Sequence, residues 1–213
     1  MKTPDLLDLR RKLLLGGVAA ATLPLLQGCF PVVAGGAVGA AAMFADRRTT
    51  GAFVEDEAIE WKTRSRLRER FGNSINVGVT SYNRIVLLTG QAPDAATQRA
   101  IEEVAAEVEN IRGVVNEVTV AGLSSLTARS NDALVTSQVK ARFVDGSGFR
   151  PHHVKVVTSD GTVFLMGLVT RREADASTEI ARTTSGVQKV VRVFEYIDEN
   201  EAARLDRRGS EPG

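Results

Sequence analysis

The chain is predicted to be an α+β protein made of two tandem copies of one small unit. Each copy runs α-β-β-α-β, with its helices packed on one face of a small mixed three-stranded sheet. Three observations carry that expectation. Ile75-Asn76-Val77-Gly78-Val79 leads to Val86-Leu87-Leu88-Thr89-Gly90, and Val154-Lys155-Val156-Val157 leads to Val163-Phe164-Leu165-Met166-Gly167, so a strand pair closing on glycine is written twice. Each of those glycines is followed by an amphipathic run, a Gly-Val pair (Gly113-Val114 and Gly186-Val187) and a last apolar strand. With one cysteine in 213 residues no internal disulfide is possible, so the fold must rest on two modest apolar cores.

The first 28 residues read as a leader rather than as fold. Arg10, Arg11 and Lys12 precede an apolar stretch that ends at Leu26-Gln27-Gly28-Cys29, and this arrangement resembles the bacterial lipobox. The resemblance implies cleavage after Gly28 and acylation of Cys29; several acyl chains, at about 0.8 kcal/mol per buried CH₂, anchor stably where one does not. The competing reading, an uncleaved spanning helix through residue 45, is interrupted by Pro24, Gln27, Pro31 and Gly35-Gly36. Residues 29–55 are rich in Ala and Gly and then turn polar, which reads as a tether, flexible or loosely helical. The leader carries four basic against two acidic residues, so its loss takes the formal charge from +1 to near −1. A general nucleic-acid binder would be far more basic.

The first copy is placed at 56–122. Asp56 and Glu57 suit a helix start, and Ile59, Thr63, Leu67 and Phe71 follow at helical spacing. Ile75, Val77 and Val79 alternate as a strand, Tyr82-Asn83-Arg84 turns into Ile85-Val86-Leu87-Leu88, and Ala100, Ile101, Val104, Val108 and Ile111 form the stripe of a second helix. Gly113 suits a left-handed helix stop before the strand Val114-Val115-Asn116-Glu117-Val118.

A linker at 123–130 leads to the second copy at 131–197. Asp132 is expected to cap a helix carrying Val135, Val139 and Phe143, and Asp160-Gly161 is a hairpin signal. Thr170 and Glu173 have capping-box spacing for a helix that Gly186 ends. The interval from Gly167 to Gly186 is four residues shorter than that from Gly90 to Gly113, about one helical turn. Residues 198–213 read as a disordered tail or frayed helix.

This ordered pattern resembles the BON domain, present twice. Together with the lipobox and the Ala/Gly tether, it is similar to dual BON-domain outer-membrane lipoproteins. The resemblance implies no catalysis, binding of membrane phospholipid, and a role in envelope integrity. Phe30 after Cys29, where inner-membrane retention uses Asp, implies the periplasmic face of the outer membrane. The family resemblance also implies that the binding surface is the first helix of the second domain, which corresponds to 132–144.

On that helix Leu134, Gln138 and Ala141 fall away from the core, with Lys140 and Arg142 on the flanks, a pattern suited to anionic lipid. Residues 130–197 carry nine Lys/Arg against seven Asp/Glu, whereas 56–122 carry eight against ten, which favours the second copy. Leu134 stands where related proteins carry an aromatic residue. The rival expectation is a non-catalytic scaffold that recruits an envelope protein through strand edges or the surface around Trp61. Arg150, His152 and His153 read as surface loop residues that add charge at mildly acidic pH; neighbouring histidines make poor metal ligands. No acid–base pair or nucleophile motif stands out, so no enzyme, cofactor, metal or small-molecule substrate is expected.

Overall fold

The computed structural model describes residues 46–208. The leader, Cys29, most of the tether and residues 209–213 lie outside the described residues. The first domain comprises α1 (Thr50–Phe71), β1 (Asn76–Tyr82), β2 (Ile85–Ala92), α2 (Ala95–Ala106) and β3 (Gly113–Val120). The second comprises α3 (Leu126–Asp145), a 3₁₀ turn (Pro151–His153), β4 (Lys155–Ser159), β5 (Thr162–Val169), α4 (Arg171–Arg182) and β6 (Lys189–Tyr196). Helix α5 (Glu199–Arg208) follows. Each sheet has its hairpin antiparallel and its third strand parallel to the central one, in the order β1-β2-β3 and β4-β5-β6.

Both hairpins turn on consecutive positive-φ residues, Asn83-Arg84 and Asp160-Gly161, matching the twist of two-residue loops. The repeated strand glycines have a steric cause: a Cβ on Gly90 would stand 2.0 Å from the Asn76 carbonyl oxygen, and one on Gly167 would stand 2.3 Å from that of His153. On the helix side, Ile59, Leu67, Val86, Leu88, Ile101 and Val118 form one core. Val135, Val139, Phe143, Val163, Leu165 and Ala181 form the other.

Several boundaries differ from the sequence reading. Helix α1 starts at Thr50, capped by the Thr49 hydroxyl accepting from the Ala52 N–H. Asp56 is therefore inside the helix and buried; its carboxylate accepts from the N–H groups of Asn83 and Arg84 at 2.8 and 2.7 Å and from the Ser81 hydroxyl at 2.6 Å. Helix α3 likewise starts at Leu126, capped by Ser125, and takes in most of the expected linker. Asp132 accepts from the N–H groups of Asp160 and Gly161, both at 2.9 Å. In both domains an Asp that was read as a helix start is a clip from the first helix onto the hairpin turn.

The expected one-turn deletion is absent: α2 and α4 both have 12 residues. The left-handed residue after each helix is Asn110 (φ 67°) in the first domain and Gly186 (φ 84°) in the second. Each precedes by three positions the residue that opens the last strand, Gly113 or Lys189. Gly186 thus matches Asn110, not Gly113. The tail is also ordered through α5: Asp198, just before the helix, accepts from the Glu201 N–H, and Ala202 within it is buried.

The opposite faces of the two sheets pack on each other. Tyr82 and Leu87 meet Phe164 and Met166 in a third buried cluster, ringed by Ile85, Val115, Val157, Leu168, Val191 and Val193. Burying each large apolar side chain contributes about 1.5–3 kcal/mol. Polar pairs close the rim: Lys155 donates to Glu60 at 3.0 Å, Asn83 to Glu195 at 2.8 Å, and Gln91 to Asp160.

Two adjacent arginines from the expected tether clamp this arrangement. Arg47 is buried, bidentate on Glu173 at 2.7 and 2.9 Å, and donates to the Leu168 carbonyl and to Asp206 of α5, each at 2.8 Å. Arg48 turns to the first domain, pairing with Asp56 at 2.7 Å and lying 4.2 Å over the Tyr82 ring. The segment just before α1 is therefore a two-sided clasp.

Burial alone would raise the Glu173 carboxyl, but the nearby His153 ring, the Arg47 guanidinium and the Thr170 N–H outweigh it and hold it well below the usual carboxylate range. The resulting stability is present in full above its ordinary value of 4.5, declines below that, and is gone once pH falls through the lowered folded value. Glu173→Gln accordingly lowers unfolding free energy by about 3 kcal/mol at pH 7, and its deficit against the unmodified chain shrinks on acidification in a urea-unfolding series. Asp56→Ala costs about 3 kcal/mol in the same assay and Asp132→Ala about 1–2, because only Asp56 also carries a buried ion pair.

Candidate functional site

Helix α3 buries Val135, Val139 and Phe143 and turns its other side to solvent. At about 100° per residue, Leu126, Leu134, Ala141 and Val144 fall within one stripe of that outer side. Leu126 is 75% exposed, Leu134 55% and Val144 72%. Arg129 and Lys140, about three turns apart, lie along one flank of the stripe, and Gln138 lies on the other. Thus Leu134, Gln138, Lys140 and Ala141 are exposed together on one surface.

Arg142 is exposed but committed elsewhere. Its guanidinium donates to the Ile180 carbonyl at 3.0 Å and to the Thr184 hydroxyl at 2.8 Å, tying α3 to the end of α4. Its apparent place on the flank follows from residue type alone; the long side chain reaches back across the domain. Lys140 makes no hydrogen bond or ion pair with the described residues. It borders a crevice of about 410 Å³ lined also by Phe143, Val144, Tyr82, His152 and Lys155.

Of the three residues read as surface loop, Arg150 and His152 are exposed as expected, at and just before the 3₁₀ turn, and only His153 departs from that reading. His153 is buried, its Nε2 3.4 Å from Asp206 and its Nδ1 3.7 Å from Glu173, inside the Arg47 clasp. The His152 pKa is pushed down by partial desolvation and by the neighbouring His153 and Arg150, which disfavours the added charge that the sequence suggested. Trp61 is 69% exposed and is not buried against the other domain. Among the described residues no cluster of His, Cys, Asp or Glu is placed to hold a metal ion, and no helix is long and apolar enough to cross a membrane.

Leu126 and Val144 escaped notice in the sequence. Leu126 fell in the expected linker, although Ser125 ahead of it is a proper N-cap signal. Val144, one turn beyond Ala141, lies at the end of the same stripe and was not singled out, although helical spacing sets it opposite Val135 and Val139. Because Arg142 serves packing and Lys140 does not, Arg142→Ala lowers domain stability by about 1 kcal/mol, while Lys140→Ala leaves it unchanged within about 0.5 kcal/mol, as thermal unfolding measures.

The family described as "BON domain" matches residues 55–122 and 131–198. The chain is 40% identical to "Outer membrane lipoprotein DolP" of Haemophilus influenzae over 176 residues, covering 81% of this chain and 91% of that protein. It is 32% identical to "21 kDa hemolysin" of Actinobacillus pleuropneumoniae, covering 71% and 79% of the two chains. It is 30% identical to "Osmotically-inducible protein Y" of Escherichia coli, covering 66% and 72%. Matched in both halves, and similar to these relatives over most of its length, the chain belongs to the BON-domain family and carries two BON domains in tandem.

Proposed function

We propose that this protein is an outer-membrane lipoprotein, acylated at Cys29 and held at the periplasmic face, whose second BON domain lays helix α3 on anionic phospholipid and thereby supports outer-membrane integrity. The similarity to an outer membrane lipoprotein supports the location. The observation that carries the lipid reading is the exposed stripe of Leu126, Leu134, Ala141 and Val144 beside the uncompensated Lys140. Apolar side chains enter the interface shallowly while each nearby cation contributes about 1 kcal/mol of attraction to an anionic surface. The chain is read as non-catalytic, with no cofactor.

A second reading, a scaffold for an envelope protein, draws on Trp61, which with Val54 forms an exposed apolar pair on α1. Vesicle co-sedimentation separates the two. The leaderless chain with Cys29→Ser, retaining the Asp46-Arg47-Arg48 clasp, binds phosphatidylglycerol vesicles more tightly than phosphatidylcholine ones, and Leu134→Glu weakens that binding at least tenfold. Equal binding to both lipids, or full binding by the Leu134→Glu chain, moves the assignment to the scaffold.

A further inference from the structure

We propose that the first BON domain completes a second anion site on the basic flank of α3, where Arg68 and Arg129 together grip the phosphate of a phospholipid headgroup. The proposal rests on α3 being the lipid-facing surface and names a subsite of it that spans both domains.

A groove of about 390 Å³ lies where the end of α1 and the start of β1 meet α3. Arg64, Arg68, Asn73 and Arg129 line it, and no carboxylate does. Arg64 is committed, pairing with Glu60 and donating to the Val79 carbonyl at 2.9 Å. Arg68 and Arg129 are not: neither guanidinium makes a hydrogen bond or ion pair with the described residues. The other basic residues of α1 show the contrast. Lys62 faces Glu109, Arg66 donates to the Glu107 carbonyl, and Arg70 lies over Phe71.

Two uncompensated guanidiniums on one groove raise its positive potential, and an anion relieves that repulsion. The planar fork of arginine matches paired phosphate oxygens, which makes phosphate the best-fitting anion. An amphiphile fits better than free phosphate because Leu126, one turn before Arg129, is exposed beside the groove. A bilayer laid along the α3 stripe meets Leu126, Arg129 and Lys140 together, since the two cations share a flank. Arg68 then reaches the same headgroup layer from the first domain, so the domain arrangement is part of the site.

The test titrates the leaderless Cys29→Ser chain with phosphatidylglycerol vesicles. Arg68→Gln with Arg129→Gln weakens binding about twentyfold, without a change in melting temperature. Binding equal to the unmodified chain overturns the groove. If Leu134→Glu still weakens binding in that case, the surface reading survives alone; if Leu134→Glu is also without effect, the surface reading itself has failed. In the unmodified chain the Nε–Hε resonances of Arg68 and Arg129 shift with dihexanoylphosphatidylglycerol and not with equal inorganic phosphate. Equal shifts with both assign the groove to free phosphate and overturn the lipid source.

Discussion

Tyr82 and Leu87 from one sheet share a buried interface with Phe164 and Met166 from the other, and every feature that spans the domains depends on it. Each BON unit covers one sheet face with its own helices; the remaining face would leave a continuous apolar patch in water if the units were independent. Packing the two faces together removes that patch. It also brings the end of α1 beside the start of α3 and creates the rim pairs from Lys155 to Glu60 and from Asn83 to Glu195. The Arg47–Arg48 clasp adds to this by gripping Glu173 and Asp206 with one residue and Asp56 with the next. The segment just before α1 therefore enters the body at the junction of the two domains.

Much of the fold was legible because it is local. Alternation in Ile75, Val77 and Val79, the Asp160-Gly161 turn and the Thr170–Glu173 capping box each act within a few residues, and all appear as read. What escaped is of longer range. Asp56 and Asp132 look like helix caps in isolation; only the folded chain brings a hairpin turn to them. The Gly-Val repeat suggested a shifted alignment, because Asn110 does the left-handed work that Gly186 does in the second copy. The interface between the sheets did leave a trace. The unbroken apolar runs Val86-Leu87-Leu88 and Val163-Phe164-Leu165-Met166 are what strands buried on both faces require. Nothing local distinguishes Arg47 and Arg48 from solvated charges.

The candidate surface was legible in part for the same reason. Helical spacing separates Leu134 and Ala141 from Val135 and Val139, and the structure keeps that separation. Spacing does not show that Arg142 reaches back to the end of α4, nor that Lys140 stays unpaired. The comparison between the two long helices is the informative one. Helix α1 carries more basic residues than α3, yet most of them are neutralised or spread over neighbouring carbonyls and rings. Helix α3 has fewer, but sets them beside exposed Leu126, Leu134 and Val144. Uncompensated charge next to exposed apolar area is what a phospholipid surface recognises, whereas total charge is not.

The measurement that bears most directly on this account is paramagnetic broadening of backbone amides by nitroxide-labelled lipid, recorded on the acylated chain in anionic nanodiscs. The account predicts broadening centred on the outer stripe of α3, from Leu126 through Leu134 to Val144, and reaching Arg68 at the edge of the first domain. Broadening centred on Trp61 or on the outer strands, with α3 untouched, would contradict it.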